Sequence, residues 1–417
     1  MSISSIFDTF YFLNWKELVM IAIGLILIYL AIVREYEPTL LLPIGFGCIL
    51  ANLGMSSYQT FTATEINAAT GEIVSVTKSG FMKVLYDAGI GTELFPLLIF
   101  IGVGAMIDFR PLLAMPKMVI LGAAGQFGIY GTLILASALA KFIPGLNWGL
   151  AETASIGTIG AIDGPTAIYV TSKIAPQILG PVAVAAYSYM SLIPIIQPPV
   201  MKALTSRKDR MIHMEYAPRP VSDRAIIVFP MLVTIAISII SPDAAPLIAA
   251  LMLGNLMKES GVVDRLDKAS QNEIINVSTL FLGLTVGGTM TGDQFLNFGV
   301  LIIMVLGLFA FVLDTAAGVL FGQLMKVLTG GKINPLIGAC GISAFPMAGR
   351  IAAQMALEED DGNFILMHAM GANTTGQLGS VIAGGVHRRE GPSMPRPLPA
   401  AASRVRSTPG RWRKAAE

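Results

Sequence analysis

Thr153–Ser172 reads TASIGTIGAIDGPTAIYVTS, twenty residues whose only formal charge is Asp163, close to the middle. About 20 apolar residues cross a hydrocarbon core about 30 Å thick, so length and composition suit a membrane span. An acid at mid-span costs roughly 2.5–3.5 kcal/mol on insertion scales, and such a cost needs a purpose. Gly157, Gly160, Gly164 and Pro165 surround it. Pro165 has no amide donor and clashes one turn back, and the glycines weaken the helix further, so a break is expected at Asp163. A break there leaves backbone carbonyls beside a carboxylate, as at the ion sites of secondary transporters. The plainer reading is an acid paired with a neighbouring helix for packing alone.

Composition supports a membrane setting. Of 417 residues, 54% are hydrophobic and 13% charged, with a mean hydropathy of +0.68. Soluble domains carry about 25% charged residues, so the chain reads as polytopic, with no call for a nucleic-acid partner. Forty-three glycines suit close helix packing and broken helices. Cys48 and Cys340 lie in apolar surroundings without metal-ligand spacing and read as packing residues. His213, His368 and His387 are scattered. The last 32 residues carry eight Lys/Arg against two Glu, which leaves a mildly acidic body of 20 basic and 25 acidic residues.

Met1–Trp15 reads as an interfacial amphipathic stretch, Leu18–Val33 as a first hydrophobic segment, and Thr39–Gly54 as a short, re-entrant second one. Ser56–Lys83 is polar, a solvent-facing loop or hairpin without evident chemistry. From Leu94 the chain repeats itself. LFPLLIFIGVGAMIDF (94–109) parallels STLFLGLTVGGTMTGDQF (278–295), and long apolar segments follow at 117–142 and 298–325. IGTIGAIDGP (156–165) then parallels IGACGISAFP (337–346), and further spans follow at 180–201 and 364–385. The offset stays near 181–184 residues across all four pairs, which favours internal duplication, a common plan in transporters.

The divisions expected are therefore 1–93, N-terminal segments and polar loop; 94–205, first repeat; 206–277, linker and connecting membrane segments; 278–385, second repeat; and 386–417, a basic disordered tail. Ser206–Arg224 carries five Lys/Arg against three acids and reads as cytoplasmic. The acids Glu358, Glu359, Asp360 and Asp361 read as a solvated turn.

In the second half the counterpart of Asp163 falls at Ala344, so the copies differ chemically. Asn334 and Ser343 offer neutral oxygens, and Arg350 adds a fixed positive charge. MGANTTGQLGS places Asn373, Thr374, Thr375, Gln377 and Ser380 beside Gly376 in the last span. The first copy offers Tyr187, Ser188, Tyr189, Ser191 and Gln197. One carboxylate among hydroxyls, amides and carbonyls suits Na⁺, whereas a divalent transition metal favours imidazole or thiolate. A proton can neutralise the same acid when the ion leaves, which is the basis for Na⁺/H⁺ exchange at one site. Asp314 is a second intramembrane acid, a relay group or a structural cap.

GTIGAIDGPTAIYVTSKIAP, with GPVAVAAYSYMSLIPIIQPPVMKAL, FPLLIFIGVGAMIDFRPLLAMPK and NPLIGACGISAFPMAGR, resembles the beta subunit of the biotin-dependent sodium-pumping decarboxylases, over roughly Tyr86–Gly385. Members act on oxaloacetate, methylmalonyl-CoA, glutaconyl-CoA or malonate. The resemblance implies a subunit that takes carboxybiotin from a partner's biotin-carrier domain, decarboxylates it with consumption of a proton, and exports Na⁺. Functional residues carried over by matching position are Asp163 and Tyr189 in the first half, and Asn334, Gly338, Ser343, Arg350 and Asn373 in the second. The chain departs from the family after Val386, where a proline- and arginine-rich stretch replaces an apolar helix.

The reading is an all-α polytopic membrane protein of two related, inverted repeats whose broken helices meet at a mid-membrane ion site. Asp163, Tyr189 and Arg350 are the expected catalytic residues. Asp163, Asn334, Ser343 and Asn373 are the expected Na⁺ ligands, supported by Gly164, Gly338, Gly376 and Ser380. Expected partners are a biotin-carrier/carboxyltransferase alpha subunit, a small membrane gamma or delta subunit, further copies of the chain and membrane lipid. The expected location is the inner (cytoplasmic) membrane. The competing reading is a secondary Na⁺/H⁺ antiporter of similar architecture without coupled decarboxylation.

Overall fold

The computed structural model describes residues 14–53, 60–66, 73–214 and 220–390. The expected interfacial stretch therefore lies almost wholly outside the described residues, as does the tail beyond Glu390. The described residues are helical apart from one strand pair. Helices α1 (Trp15–Val33) and α2 (Pro38–Asn52) lie antiparallel, with the Cys48 thiol donating to the Met20 carbonyl at 3.2 Å. The second segment is thus one helix along its neighbour and does not turn back, despite Pro43. Within the polar stretch, β1 (Thr60–Ile66) and β2 (Ile73–Ser79) pair antiparallel, Thr60 opposite Ser79.

After a π turn at Tyr86–Ile90 the chain bends by 56° into α3 (Leu94–Met106). The next apolar segment is interrupted at Gly125–Gln126, between a short helix Met118–Ala124 and α4 (Phe127–Phe142). Then come α5 (Leu150–Gly157), a 3₁₀ turn Thr158–Ala161, and α6 (Gly164–Ile174). A span bent by 65° follows, made of α7 (Leu179–Ser191) and α8 (Ile193–Leu204), with Pro194 just inside α8. The middle of the chain supplies a hairpin, α9 (Asp223–Ile240) and α10 (Ala245–Ser260). Then α11 (Ile275–Gly288) leads to the long α12 (Phe298–Leu328). The 3₁₀ segment Pro335–Gly341 and α13 (Met347–Glu359) precede α14 (Leu366–Glu390). That last helix runs past Val386, where the tail was expected to begin.

Among the described residues four helices are long and apolar enough to cross a membrane, or six if each bent pair is one span. Leu232, Ile235, Ile239 and Ile240 of α9 are exposed, as befits side chains that face lipid. Each helical hairpin packs on a helix far away in sequence: α2 on α11, and α10 on α3. Both contacts are backbone-close. A Cβ on Gly47 would lie 2.3 Å from the Leu284 carbonyl oxygen, and one on Gly254 would lie 1.9 Å from that of Ile101. The α9–α10 hairpin in 206–277 thus does for α3 what α1–α2 does for α11.

Thr153–Ser172 does not cross the bundle. Gln177, beyond α6, donates to Glu152 at the start of α5, so both arms open at one end of the molecule. Lys173 pairs with Glu93 at the same end. The second glycine-rich segment is a hairpin too, opening at the opposite end around Arg210. The Arg210 carbonyl accepts from Asn334 at 2.9 Å and from Asn363 at 2.9 Å, and its guanidinium pairs with Glu359 at 2.6 Å. The acidic run is accordingly paired rather than merely solvated: Asp360 sits 2.7 Å from His213, and the Arg210 hydrogen bond holds the Glu359 carboxyl below the usual range.

A buried acid as candidate functional site

Local sequence sets the break. Asp163 caps α6, whose second residue is Pro165; proline fits the first turn because its missing amide would be unpaired there anyway. Ile162, just before it, holds φ +54°. A β-branched residue in the left-handed region costs about 1–3 kcal/mol, and such strain gathers at functional sites.

Asp163 is 5% exposed, and every donor to it is neutral. Its Oδ2 accepts from Thr166 Oγ1 at 2.7 Å, Gln377 Nε2 at 2.9 Å and Ser380 Oγ at 3.2 Å. Among the described residues Oδ1 accepts only the Thr166 amide, at 3.3 Å. No ion pair joins Asp163 to a cation among the described residues. The start of α6 adds the positive end of its dipole. Dipoles of this kind steady an anion without cancelling its charge.

The acid lines a cavity of about 350 Å³ with Tyr187, Ser343 and Gln377, and the cavity reaches Glu37, Met106 and Met347. Ser343 Oγ donates to the Gly376 carbonyl at 3.2 Å. Asn373 donates to the Ile342 carbonyl at 2.7 Å and keeps a buried Oδ1 without a partner among the described residues. Asn373, Gln377 and Ser380 follow helical spacing, so one face of α14 is turned to the two hairpin tips. Gly376 permits that approach: a Cβ there would sit 2.2 Å from the Gly341 oxygen.

The structure gathers Asp163, Ser343, Asn373, Gly164, Gly376 and Ser380, and separates the rest. Asn334 is a clamp at the Arg210 end, its amide divided between the carbonyls of Arg210 and Ile212. Gly338 packs against Gly318, with its Cβ position 2.1 Å from that carbonyl oxygen. Tyr189 donates to the Met304 carbonyl, away from the acid. Tyr187 is the tyrosine at the site. Its ring lies over Gly164, where a Cβ would come within 2.1 Å, and its buried hydroxyl has no partner among the described residues. Arg350 is exposed one turn beyond Met347. Thr166 is not among the expected site residues, although an Asp cap three residues before it with proline between is a readable signal. Gln377 stands there among the polar residues without a role.

These features define a polytopic helical membrane protein built around one buried acid with neutral oxygen partners. Residues 16–389 match the family described as Na⁺-transporting oxaloacetate decarboxylase beta subunit, and the chain belongs to that family. It is 45% identical over 408 residues to the oxaloacetate decarboxylase beta chain of Klebsiella pneumoniae, covering 89% of this chain and 94% of the relative. It is 48% identical over 367 residues to the methylmalonyl-CoA decarboxylase subunit beta of Veillonella parvula, covering 88% and 91%. The corresponding subunit of Propionigenium modestum is 47% identical over 384 residues, covering 90% and 95%. The chain is therefore a membrane subunit of a sodium-transporting decarboxylase.

Proposed function

We propose that this subunit decarboxylates carboxybiotin, consumes a proton, and uses the reaction to export Na⁺ across the inner membrane. The observation that carries the reading is the Asp163 carboxylate, buried against a cavity and held, among the described residues, by neutral donors. Na⁺ is the cargo. It binds at Asp163, with Ser343, Asn373, Ser380 and Gln377 near enough in the fold to contribute oxygens. Arg350, beyond the cavity wall at Met347, attracts the carboxylate of carboxybiotin. In the reaction the bond from the biotin nitrogen to the carboxylate breaks, CO₂ leaves, and the nitrogen takes up a proton. Tyr187 faces that chemistry more directly than Tyr189, which the resemblance favours. Each charge moved against 100 mV costs about 2.3 kcal/mol, which is why the transfer is tied to a reaction.

The two halves are read as inverted repeats. The first hairpin opens at the Lys173 end and the second at the Arg210 end, which supports the reading. The α7–α8 pair and α14 run between those ends in opposite senses. Carboxybiotin is delivered by a biotin-carrier/carboxyltransferase alpha subunit, a small gamma or delta subunit completes the assembly, and the complex contains several copies of this chain. Relatives act on oxaloacetate and on methylmalonyl-CoA at similar identity, so the acid is set by the partner.

The test is Na⁺-dependent decarboxylation by the reconstituted complex. Turnover should be sensitive to avidin, and the Na⁺ requirement should fall as pH rises, because protons compete for Asp163. Na⁺/H⁺ exchange without biotin would favour the antiporter, and a Na⁺ requirement indifferent to pH would remove the shared site.

A further inference from the structure

Behind the tip of the first hairpin lies a second buried acid. Asp314 stands in the middle of α12 and is 0% exposed. Its Oδ1 accepts the Gly128 amide at 3.0 Å, in the first turn of α4 just past the interruption at Gly125–Gln126. Its Oδ2 has no partner among the described residues. The approach depends on glycine, since a Cβ on Gly128 would fall 2.4 Å from Asp314 Cβ. Gly160, three residues before Asp163, also packs on Gly128, with its Cβ position 2.4 Å from the Gly128 carbonyl carbon. Gly128 thus links Asp314 to the hairpin tip that carries Asp163.

The unpartnered oxygen is not isolated. Gln126 Oε1, Thr132 Oγ1 and Thr315 Oγ1 are also buried without partners, all within about a turn of Gly128 or Asp314 along their helices. Through its amide nitrogen Gln126 reaches the Gly376 carbonyl at 3.4 Å, the same oxygen that Ser343 uses in the first site. A carboxylate at this depth with one oxygen unsatisfied needs a neutralising partner, because burying a charge without one is prohibitive. Other charged and titratable groups on the packed elements are engaged or distant. Lys141 is roughly 20 Å along α4 from Gly128. Tyr130 is 43% exposed, Glu152 binds Gln177, Lys202 pairs with Glu358, Tyr189 binds Met304, and Cys340 donates to Leu336. Tyr187 lies over Gly164, on the Asp163 side of the tip. Asp314 is not among the residues that line the cavity at Asp163, and a proton is an occupant that needs no cavity.

We propose that Asp314 is a second proton-carrying carboxyl of the transport path, loaded and unloaded at Oδ2 while Oδ1 stays on the Gly128 amide. Loading makes the group neutral at the centre of the membrane. Unloading leaves a carboxylate steadied by the positive end of α4. The proposal rests on the pump reading given above.

The experiment compares wild-type, Asp314→Asn and Asp163→Asn complexes in Na⁺-dependent decarboxylation across the neutral and alkaline pH range. Asparagine keeps the acceptor for Gly128, so assembly survives. Turnover of Asp314→Asn should fall by about a hundredfold, the scale of a lost proton-transfer group, with a flattened pH profile and an unchanged Na⁺ requirement. Wild-type turnover with the wild-type profile would make Asp314 a structural cap and overturn the proposal. A marked rise in the Na⁺ requirement would make it a Na⁺ ligand and overturn it equally. If the variant fails to assemble, an apolar carbodiimide on the wild-type complex decides, because it reacts with protonated carboxyls. Modification at Asp314 that declines with rising pH supports the proposal; modification that is absent or indifferent to pH overturns it. Failure of the pump reading would show separately, as wild-type complex without Na⁺-dependent turnover.

Discussion

The Ser343 amide donates to the Ala161 carbonyl across 3.3 Å, so two hairpins from opposite ends of the molecule meet backbone to backbone. The contact lies two residues from Asp163 along the chain. Around it the tips are built of small residues, and the polar side chains of α14 close over them. The acid is thus placed where the two arms touch, which makes its geometry sensitive to either.

Asp163→Asn should abolish decarboxylation and transport together while the complex still assembles. Asparagine keeps the volume and an acceptor for the Thr166 amide, and lowers the burial cost. Turnover by purified variant complex, with assembly measured beside it, decides. Normal Na⁺-dependent turnover would remove Asp163 from the mechanism.

Gly376→Ala adds a methyl group 2.2 Å from the Gly341 oxygen, a backbone atom that cannot swing aside. Overpacking of this kind costs about 1–3 kcal/mol. The expected result is a lower melting temperature of the detergent-solubilised chain and weakened Na⁺-dependent turnover. A variant with unchanged melting would show that the tips yield easily.

Tyr187→Phe and Tyr189→Phe should separate. Loss of the Tyr187 hydroxyl should shift the Na⁺ requirement or the pH profile of turnover, since it faces the acid's cavity. Loss of the Tyr189 hydroxyl removes a hydrogen bond to Met304 worth about 1 kcal/mol and should show mainly as reduced stability. The opposite pattern would return the site to Tyr189.

Asp209 supplies a pH test at the Arg210 end. Burial pushes its carboxyl up, but hydrogen bonds from Lys326, Gln323 and Ser206 outweigh that and hold it below the usual range. A depressed carboxyl contributes stability above its unfolded value, about 3.9, and loses it as pH falls toward the folded one. Asp209→Asn should therefore cost about 2 kcal/mol at neutral pH, with the gap to wild type closing in acid. Thermal unfolding at several pH values measures it. A gap that persists in acid would mean packing, not charge, is what Asp209 provides.

Truncation after Glu390 should leave assembly and Na⁺-dependent turnover intact. The family match ends at residue 389, and the basic tail has no apolar period to pack. Loss of assembly would assign the tail a role.

Much of this was legible in advance because the signals are local. Asp163 beside Pro165 states a helix start, and its apolar surroundings state the membrane. Four ordered segment pairs are the sequence signal behind the proposed duplication. Direction was not legible: length alone suggested a crossing at Thr153–Ser172, and only the Gln177–Glu152 contact turns it into a hairpin. Partners distant in sequence were lost for the same reason. Asn334 carries the family pattern, yet its contacts are with a loop over 120 residues away in sequence. Tyr187 and Tyr189 are two apart, so on a helix they point to nearly opposite sides, and no local rule chose between them.

Cys48 and Cys340, the only two thiols in the chain, are both buried. For surface chemistry the natural sequence is therefore already a cysteine-free background. Gln177→Cys and Arg207→Cys would each place a single reactive thiol at one end of the bundle. A membrane-impermeant maleimide applied to sealed vesicles then reports which end faces out, and the handedness of the pump across its membrane can be mapped without rebuilding the protein.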